Sequence, residues 1–215
     1  KQGRGMSDNQ LSSVRTGGVF LAQEAVKNGL IDGVQSFEAA FAEFEARGYA
    51  QCSVEDIARR AGVSRATFYV HYQGKVELVE GLWDVVRRPL VALYRELLVM
   101  DVRDQDTLAE WLSDTFAVYK ENKLRLVAVH EAIALEASLA DAYFERENEL
   151  VGMISPLLRP HLIATPEEAR SRAALLTIQH ERFCVLWILR GVPFDHDSAV
   201  STLASLWVDQ LGTTP

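Results

Sequence analysis

The chain has 215 residues, of which 48% are hydrophobic, 24% charged and 9% aromatic, and its formal net charge is -8. That balance supports one or two globular domains and excludes a disordered chain, a fibrous repeat or a generally basic coat protein for nucleic acid. The longest strongly apolar run is the seven residues Phe183 to Leu189, far short of the roughly 18 that a membrane-spanning helix needs, so no membrane partner is expected. Only Cys52 and Cys184 are present, too few for a disulfide framework. The first residues also lack the pattern of a signal peptide, so a soluble protein of the reducing cytoplasm is the expectation.

Residues 1–35 form an N-terminal extension in which Val19 to Ala22, Ala25 and Val26 allow one extra helix, with Lys1 to Gly5 standing ahead of Met6 as a candidate native start. Phe37, Ala40, Phe41 and Phe44 then make one helical stripe, ended by Gly48. Ser53 offers an N-cap to a short helix carrying Ile57, Ala58 and Ala61, broken at Gly62. Ser64 caps a third, from Arg65 to about His71, and a fourth is expected from Lys75 to Arg88, stopped by Pro89. Helical spacing continues over 90–100, 107–120, 123–137, 139–159, 167–190 and 196–211, and no stretch alternates like a strand. The fold class is all-α, with domains at 36–82 and 83–215.

The charge is unevenly spread. Residues 57–75 hold Arg59, Arg60, Arg65 and Lys75 and no acid, a local +4 where an anionic partner would dock, whereas acids exceed bases in residues 89–215. Two short helices joined by a glycine turn, the second with a polar and basic outer face, suit a duplex reader whose second helix enters the major groove. Ile57, Ala58, Ala61, Val63 and Phe68 would fix the angle between them, leaving Ser64, Arg65, Thr67, Tyr69 and His71 for the outer surface. Arg59 and Arg60 read as a solvated face that adds to the local field, and Tyr72 as core.

The stretch Cys52-Ser-Val-Glu-Asp-Ile-Ala-Arg-Arg-Ala-Gly-Val-Ser-Arg-Ala-Thr-Phe-Tyr-Val-His-Tyr-Gln-Gly-Lys75 resembles the DNA-binding domain of TetR-family transcriptional regulators. Phe37 to Tyr49 is similar to that family's first helix, and Gly191-Val-Pro-Phe-Asp195 to the link into its last. Carried over residue by residue, the resemblance implies that Arg65, Thr67, Tyr69 and His71 face bases or backbone in the groove. It also implies that Ser53 and Lys75 hold phosphates. Arg65 is the candidate base reader, because a guanidinium bridges two acceptors of guanine. The sequence departs from the family pattern in having Asp32, Gly33 and Val34 where a basic arm often stands, and Cys52-Ser53 in place of a common Thr-Thr.

In the C-terminal region, apolar residues surround the helix 167–190, which must therefore be covered on both sides, while Val200, Leu203, Trp207 and Leu211 form one stripe on the last helix. A two-fold dimer interface explains both, with that stripe intermolecular, and the resembled family dimerises through its last two helices. Trp83, Trp111, Tyr119 and Trp187 are candidate walls of a site for a largely apolar small-molecule effector. No pair of the five histidines has the spacing of a zinc hydrolase, and no phosphate loop or nucleophile elbow occurs, so no cofactor or metal is expected. His130-Glu131 and His180-Glu181 read as surface or core pairs before cavity groups. The expected function is a homodimeric, effector-released repressor of a pseudo-palindromic double-stranded operator. The competing readings are an enzyme using the C-terminal cavity and a DNA-organising protein without effector.

Overall fold

The computed structural model describes residues 35–158 and 165–211. The expected features of residues 1–34, including the extra helix, lie outside the described residues. In chain order the helices are α1 (Gln35–Arg47), α2 (Val54–Arg60), α3 (Arg65–His71), α4 (Lys75–Glu96), α5 (Gln105–Glu121), α6 (Lys123–Leu135), α7 (Ala137–Ile154), α8 (Pro166–Cys184) and α9 (His196–Val208). A single 3-10 turn, Ser155–Leu157, follows α7, and a π turn, Val185–Leu189, follows α8. Among the described residues there is no strand, only an isolated antiparallel bridge between Leu158 and Leu211. The architecture is all-α, with a helix-turn-helix domain followed by a helical domain.

Side-chain caps fix many helix starts. Asp104 accepts from the Thr107 amide at 3.1 Å, Thr165 from the Glu168 amide at 3.1 Å with Pro166 in the first turn, and Asp195 from the Ser198 amide at 2.9 Å.

Two expected boundaries are corrected. Pro89 does not stop the fourth helix; α4 runs through it to Glu96. The apolar stripe stays in phase across the proline, with Val79, Trp83, Val86, Val91, Tyr94 and Leu97 all buried. Pro89 itself faces solvent beside exposed Val85 and Arg88, so the carbonyl that it leaves without a helical donor is not a buried orphan. The expected helix 167–190 is also not uniform. At its end the Arg190 amide reaches back five residues to the Val185 carbonyl at 2.9 Å, a π turn that Gly191, with φ of 74°, closes.

The chain divides into two compact units, one ending at Val79 and the other beginning at Glu80. The expected border between 82 and 83 falls in the same helix, α4. In the first unit, Ala40 and Phe44 of α1 are buried together with Tyr49, Ile57, Ala58 and Phe68, and the Phe44 and Tyr49 rings meet at 5.6 Å. The second unit is built around α5, along which α9 lies, and α8, which packs on α7. Its fully buried large side chains include Leu97, Leu108, Leu112, Phe116, Ile154, Trp207 and Leu211.

Candidate nucleic-acid interface

Two capped helices and one glycine set the geometry of residues 53–75. Ser53 and Asp56 form a reciprocal capping box: the Asp56 amide donates to Ser53 Oγ at 3.2 Å and the Ser53 amide to Asp56 Oδ2 at 3.1 Å. Ser53 Oγ also donates to Asp56 at 2.6 Å, and these bonds hold the Asp56 carboxyl down at about 2. At the other end of α2 the Val63 amide donates to the Ala58 carbonyl and the Gly62 amide to the Arg59 carbonyl. This six-to-one and five-to-two pattern requires Gly62 in the left-handed region, at φ of 70°. The chain then enters α3, where Ser64 accepts from the Thr67 amide at 3.0 Å and its hydroxyl meets that of Thr67 at 2.8 Å.

The second helix presents a polar outer face. Phe68 is buried, edge-on to Tyr69 and tilted against Tyr72, so it anchors α3; Tyr72 joins that contact but is half-buried rather than core. Ser64, Arg65 and Tyr69 are exposed, and Thr67 and His71 half-buried. The Arg65 guanidinium lies 5.4 Å from the Tyr69 ring and pairs with Glu55 of α2. The bond with Tyr69 and the nearby Glu55 carboxylate raise the arginine above its ordinary value.

The expected phosphate holders are differently placed. Lys75 Nζ donates to the Tyr49 carbonyl at 3.0 Å and sits 4.0 Å over the Tyr49 ring, so it braces α4 against the end of α1. The Ser53 hydroxyl is engaged by the capping box. Cys52 is buried, and burial pushes its thiol up to about 11. The local +4 of the sequence is compensated by acids just outside that window: Arg59 pairs with Asp56 at 2.7 Å and Arg60 with Glu43 at 3.2 Å. Arg47 lies within reach of both Glu43 and Asp56.

The candidate effector walls are not gathered around one point. Trp83 stacks on Tyr143 at 5.2 Å under the guanidinium of Arg146. Trp111 is buried, donates its indole N–H to the Leu93 carbonyl at 2.8 Å and packs on Trp207. Tyr119 is edge-on to His180, and half-buried Trp187 is edge-on to Phe116 with Lys120 over its ring. The sequence leaves His180 open between a surface and a core position and gives no sign of its partners. His180, fully buried, lies between Tyr94 Oη at 3.2 Å and Thr115 Oγ1 at 2.9 Å. Thr115 donates to the Leu112 carbonyl, so it accepts from His180 Nε2–H, and Nδ1 accepts from the tyrosine. Burial holds this neutral imidazole down at about 4.

The proposed intermolecular stripe is a correction. Val200, Leu203, Trp207 and Leu211 are all buried within the single chain, in the core that α9 forms with α5. A helix laid against its own domain buries its strongest stripe there; what it leaves outside is Leu206, 44% exposed, and α8 leaves Leu175 and Ile178.

This arrangement defines a helix-turn-helix domain joined to a larger helical domain. Residues 37–82 match the model of the family described as bacterial regulatory proteins, tetR family. A segment of 50 residues is 46% identical to the HTH-type transcriptional regulator TtgR of Pseudomonas putida, covering 23% of this chain and 24% of that protein. The same figures hold for the probable HTH-type transcriptional regulator ArpR of Pseudomonas putida, so the match spans about a quarter of either relative. Among solved structures, a TetR-family regulator from Syntrophomonas wolfei aligns with a TM-score of 0.61 at 16% identity, over 80% of this chain and 91% of that one. The TetR-family regulator PfmR of Thermus thermophilus aligns at 0.59 and 18%, over 84% and 97%. At such identities these structures show the shared fold. Residues 37–82 thus carry a DNA-binding domain of the TetR type, and the relatives matched over that segment are named as transcriptional regulators.

Proposed function

We propose that the chain is a homodimeric, ligand-responsive transcriptional regulator that represses by binding a pseudo-palindromic operator and leaves it when a small molecule binds. The observation that carries this reading is the outer surface of α3, with Arg65 and Tyr69 exposed together and Thr67 and His71 half-buried, on a helix whose angle to α2 is fixed by the Gly62 turn and buried Phe68. Arg65 reads a base. Ser53, Ser64 and Lys75 act nearer the backbone, and Lys75 exchanges its bond to Tyr49 for phosphate or contributes its field from where it stands.

The dimer face in this proposal is the outer side of α8 and α9. Leu175, Ile178 and Leu206 are exposed there at 67%, 58% and 44%. A shallow groove of about 350 Å³ is lined by Arg172, Leu175, Leu176, Gln179, Leu206 and Gln210. Exposed aliphatic side chains beside amides suit a self-complementary interface.

The effector belongs in the unit from Glu80 onward. Its aromatic interior includes Trp111, Tyr119 and, through Phe116, Trp187, and the fully buried indole N–H of Trp207 has no acceptor. A largely apolar molecule carrying one acceptor suits that combination; Trp83 would contribute from its separate stack on Tyr143. Selection from random duplexes by mobility shift tests the proposal and should return an inverted repeat bound by two copies. A thermal-shift screen should then yield a compound that releases that duplex. Enrichment of no sequence would overturn operator binding, and stabilising compounds that never alter DNA affinity would overturn ligand response.

A further inference from the structure

The acids around the helix-turn-helix fall into two kinds. Glu43 and Asp56 are largely buried, with side-chain exposures of 12% and 13%; the Arg47–Asp56 and Arg60–Glu43 pairs tie α1 to α2, and Arg47–Glu43 and Arg59–Asp56 lie within one helix each. Glu55 is different. Its side chain is 48% exposed, its partner Arg65 is 61% exposed, and their contact joins the first turn of α2 to the first residue of α3. An exposed pair of this kind adds little to stability. The domain does not need it in order to fold, since the turn is already fixed by Gly62, the two serine caps and Phe68.

The pair has a clear consequence for Arg65. One terminal nitrogen of the guanidinium is held by Glu55 and its carbon stands 5.4 Å from the centre of the Tyr69 ring, so a long side chain with many rotamers is restrained from two directions. A guanidinium has five N–H donors, and the bonds to Glu55 and Tyr69 leave others to offer to a base. The carboxylate also cancels the arginine's charge. An unpaired arginine at the start of α3 would be drawn to the phosphates of any duplex, whereas a paired one gains most where two fixed acceptors receive it together.

We propose that Glu55 is a positioning residue for DNA specificity: it holds the Arg65 guanidinium in its base-reading pose and withholds that charge from non-cognate phosphates. The inference rests on the reading of Arg65 as the base-contacting residue. Glu55 thereby lowers overall DNA affinity while raising discrimination, a trade that selects against wrong partners.

The test uses the full chain and the operator recovered by selection, with Glu55→Gln, Arg65→Ala and the double variant, each checked for unchanged helicity. Glu55→Gln keeps shape and removes charge. It should bind scrambled duplex more tightly, steepen the salt dependence by roughly one phosphate contact, and lower the cognate-to-scrambled ratio about tenfold. The relaxed base position should be the one that Arg65→Ala relaxes, and in the Arg65→Ala background Glu55→Gln should change the ratio no further. If Arg65→Ala relaxes a base while Glu55→Gln leaves both ratio and salt slope unchanged, the positioning role is wrong and the base-reading role stands. Relaxation at a different base in Glu55→Gln would make Glu55 itself a reader and overturn the inference. Arg65→Ala with intact base preference would overturn the reading on which it rests.

Discussion

Leu206 and Trp207 are neighbours in sequence on α9, turned about 100° from each other, one 44% exposed and the other fully buried. If α9 belongs to the core of its own chain through Trp207 and to a dimer through Leu206, the two substitutions should separate cleanly. Trp207→Ala removes an indole packed on Trp111 at 5.2 Å and edge-on to His180, so it should cost about 3–5 kcal/mol of stability. For a chain of this size that is a fall in Tm of roughly 6–20 °C. Leu206→Ala should leave Tm of the subunit nearly unchanged. Burying a whole leucine contributes about 1.5–3 kcal/mol, so covering its exposed fraction in both copies of a symmetric interface contributes about 1.3–2.6 kcal/mol. The dimer should therefore weaken, with Kd rising roughly ten- to eightyfold. Sedimentation equilibrium across protein concentration reads the dissociation constant, and thermal unfolding at one low concentration reads the subunit. A Trp207→Ala protein with unchanged Tm but weakened self-association would refute the internal placement of that stripe, and an unchanged Kd in Leu206→Ala would refute the dimer face.

His180 supplies a pH dependence: its imidazole is held at about 4 by burial, below the unfolded value of about 6.5. The neutral form therefore favours folding above about pH 6.5, and stability should fall as pH drops from there toward 4, by up to about 3 kcal/mol. His130 is lowered to about 4 chiefly by burial as well, so His180→Gln should reduce rather than abolish the acid slope in unfolding titrations, and an unaltered slope would contradict the buried neutral assignment. Glu147 has the opposite sign. Burial, then the nearby Glu181 carboxylate, raises it to about 7, so its contribution is present below about pH 4.5 and lost as pH rises through 7. Glu147→Gln should stabilise the chain at pH 8 by on the order of 2 kcal/mol and have little effect at pH 4, and equal effects at both would refute the assignment. Pro89→Ala restores a donor inside α4 at a solvent-facing position and should raise stability by about 1–3 kcal/mol; a loss of stability would mean that the proline breaks the helix in solution.

The helix-turn-helix was legible because its determinants are local. Ser53, Gly62 and Ser64 act on amides and dihedrals within a few residues, and Phe68 anchors the element on which it lies. The electrostatics of the same site were not, since the acids that neutralise its arginines lie outside the basic window: Glu43 is 17 residues from Arg60, and Glu55 is 10 from Arg65. Pro89 misled because a breaker was weighed without the stripe that continues on both sides of it. The stripe of α9 was visible, but an apolar face does not carry the identity of what covers it, and α5 of the same chain takes that place. The His180 centre joins residues 65 and 86 apart in sequence, so the lone histidine on an apolar helix gave a hint of burial and no hint of its partners.

The central claim, that α3 reads a sequence rather than merely meeting charge, is tested most directly by equilibrium affinities for the selected duplex and for one with both half-sites scrambled, measured across salt and protein concentration. Two copies should bind the selected duplex, at least about a thousandfold more tightly than the scrambled one at physiological salt, with the advantage lost when either half-site is changed. Equal affinity for the two duplexes, falling in parallel as salt rises, would contradict it.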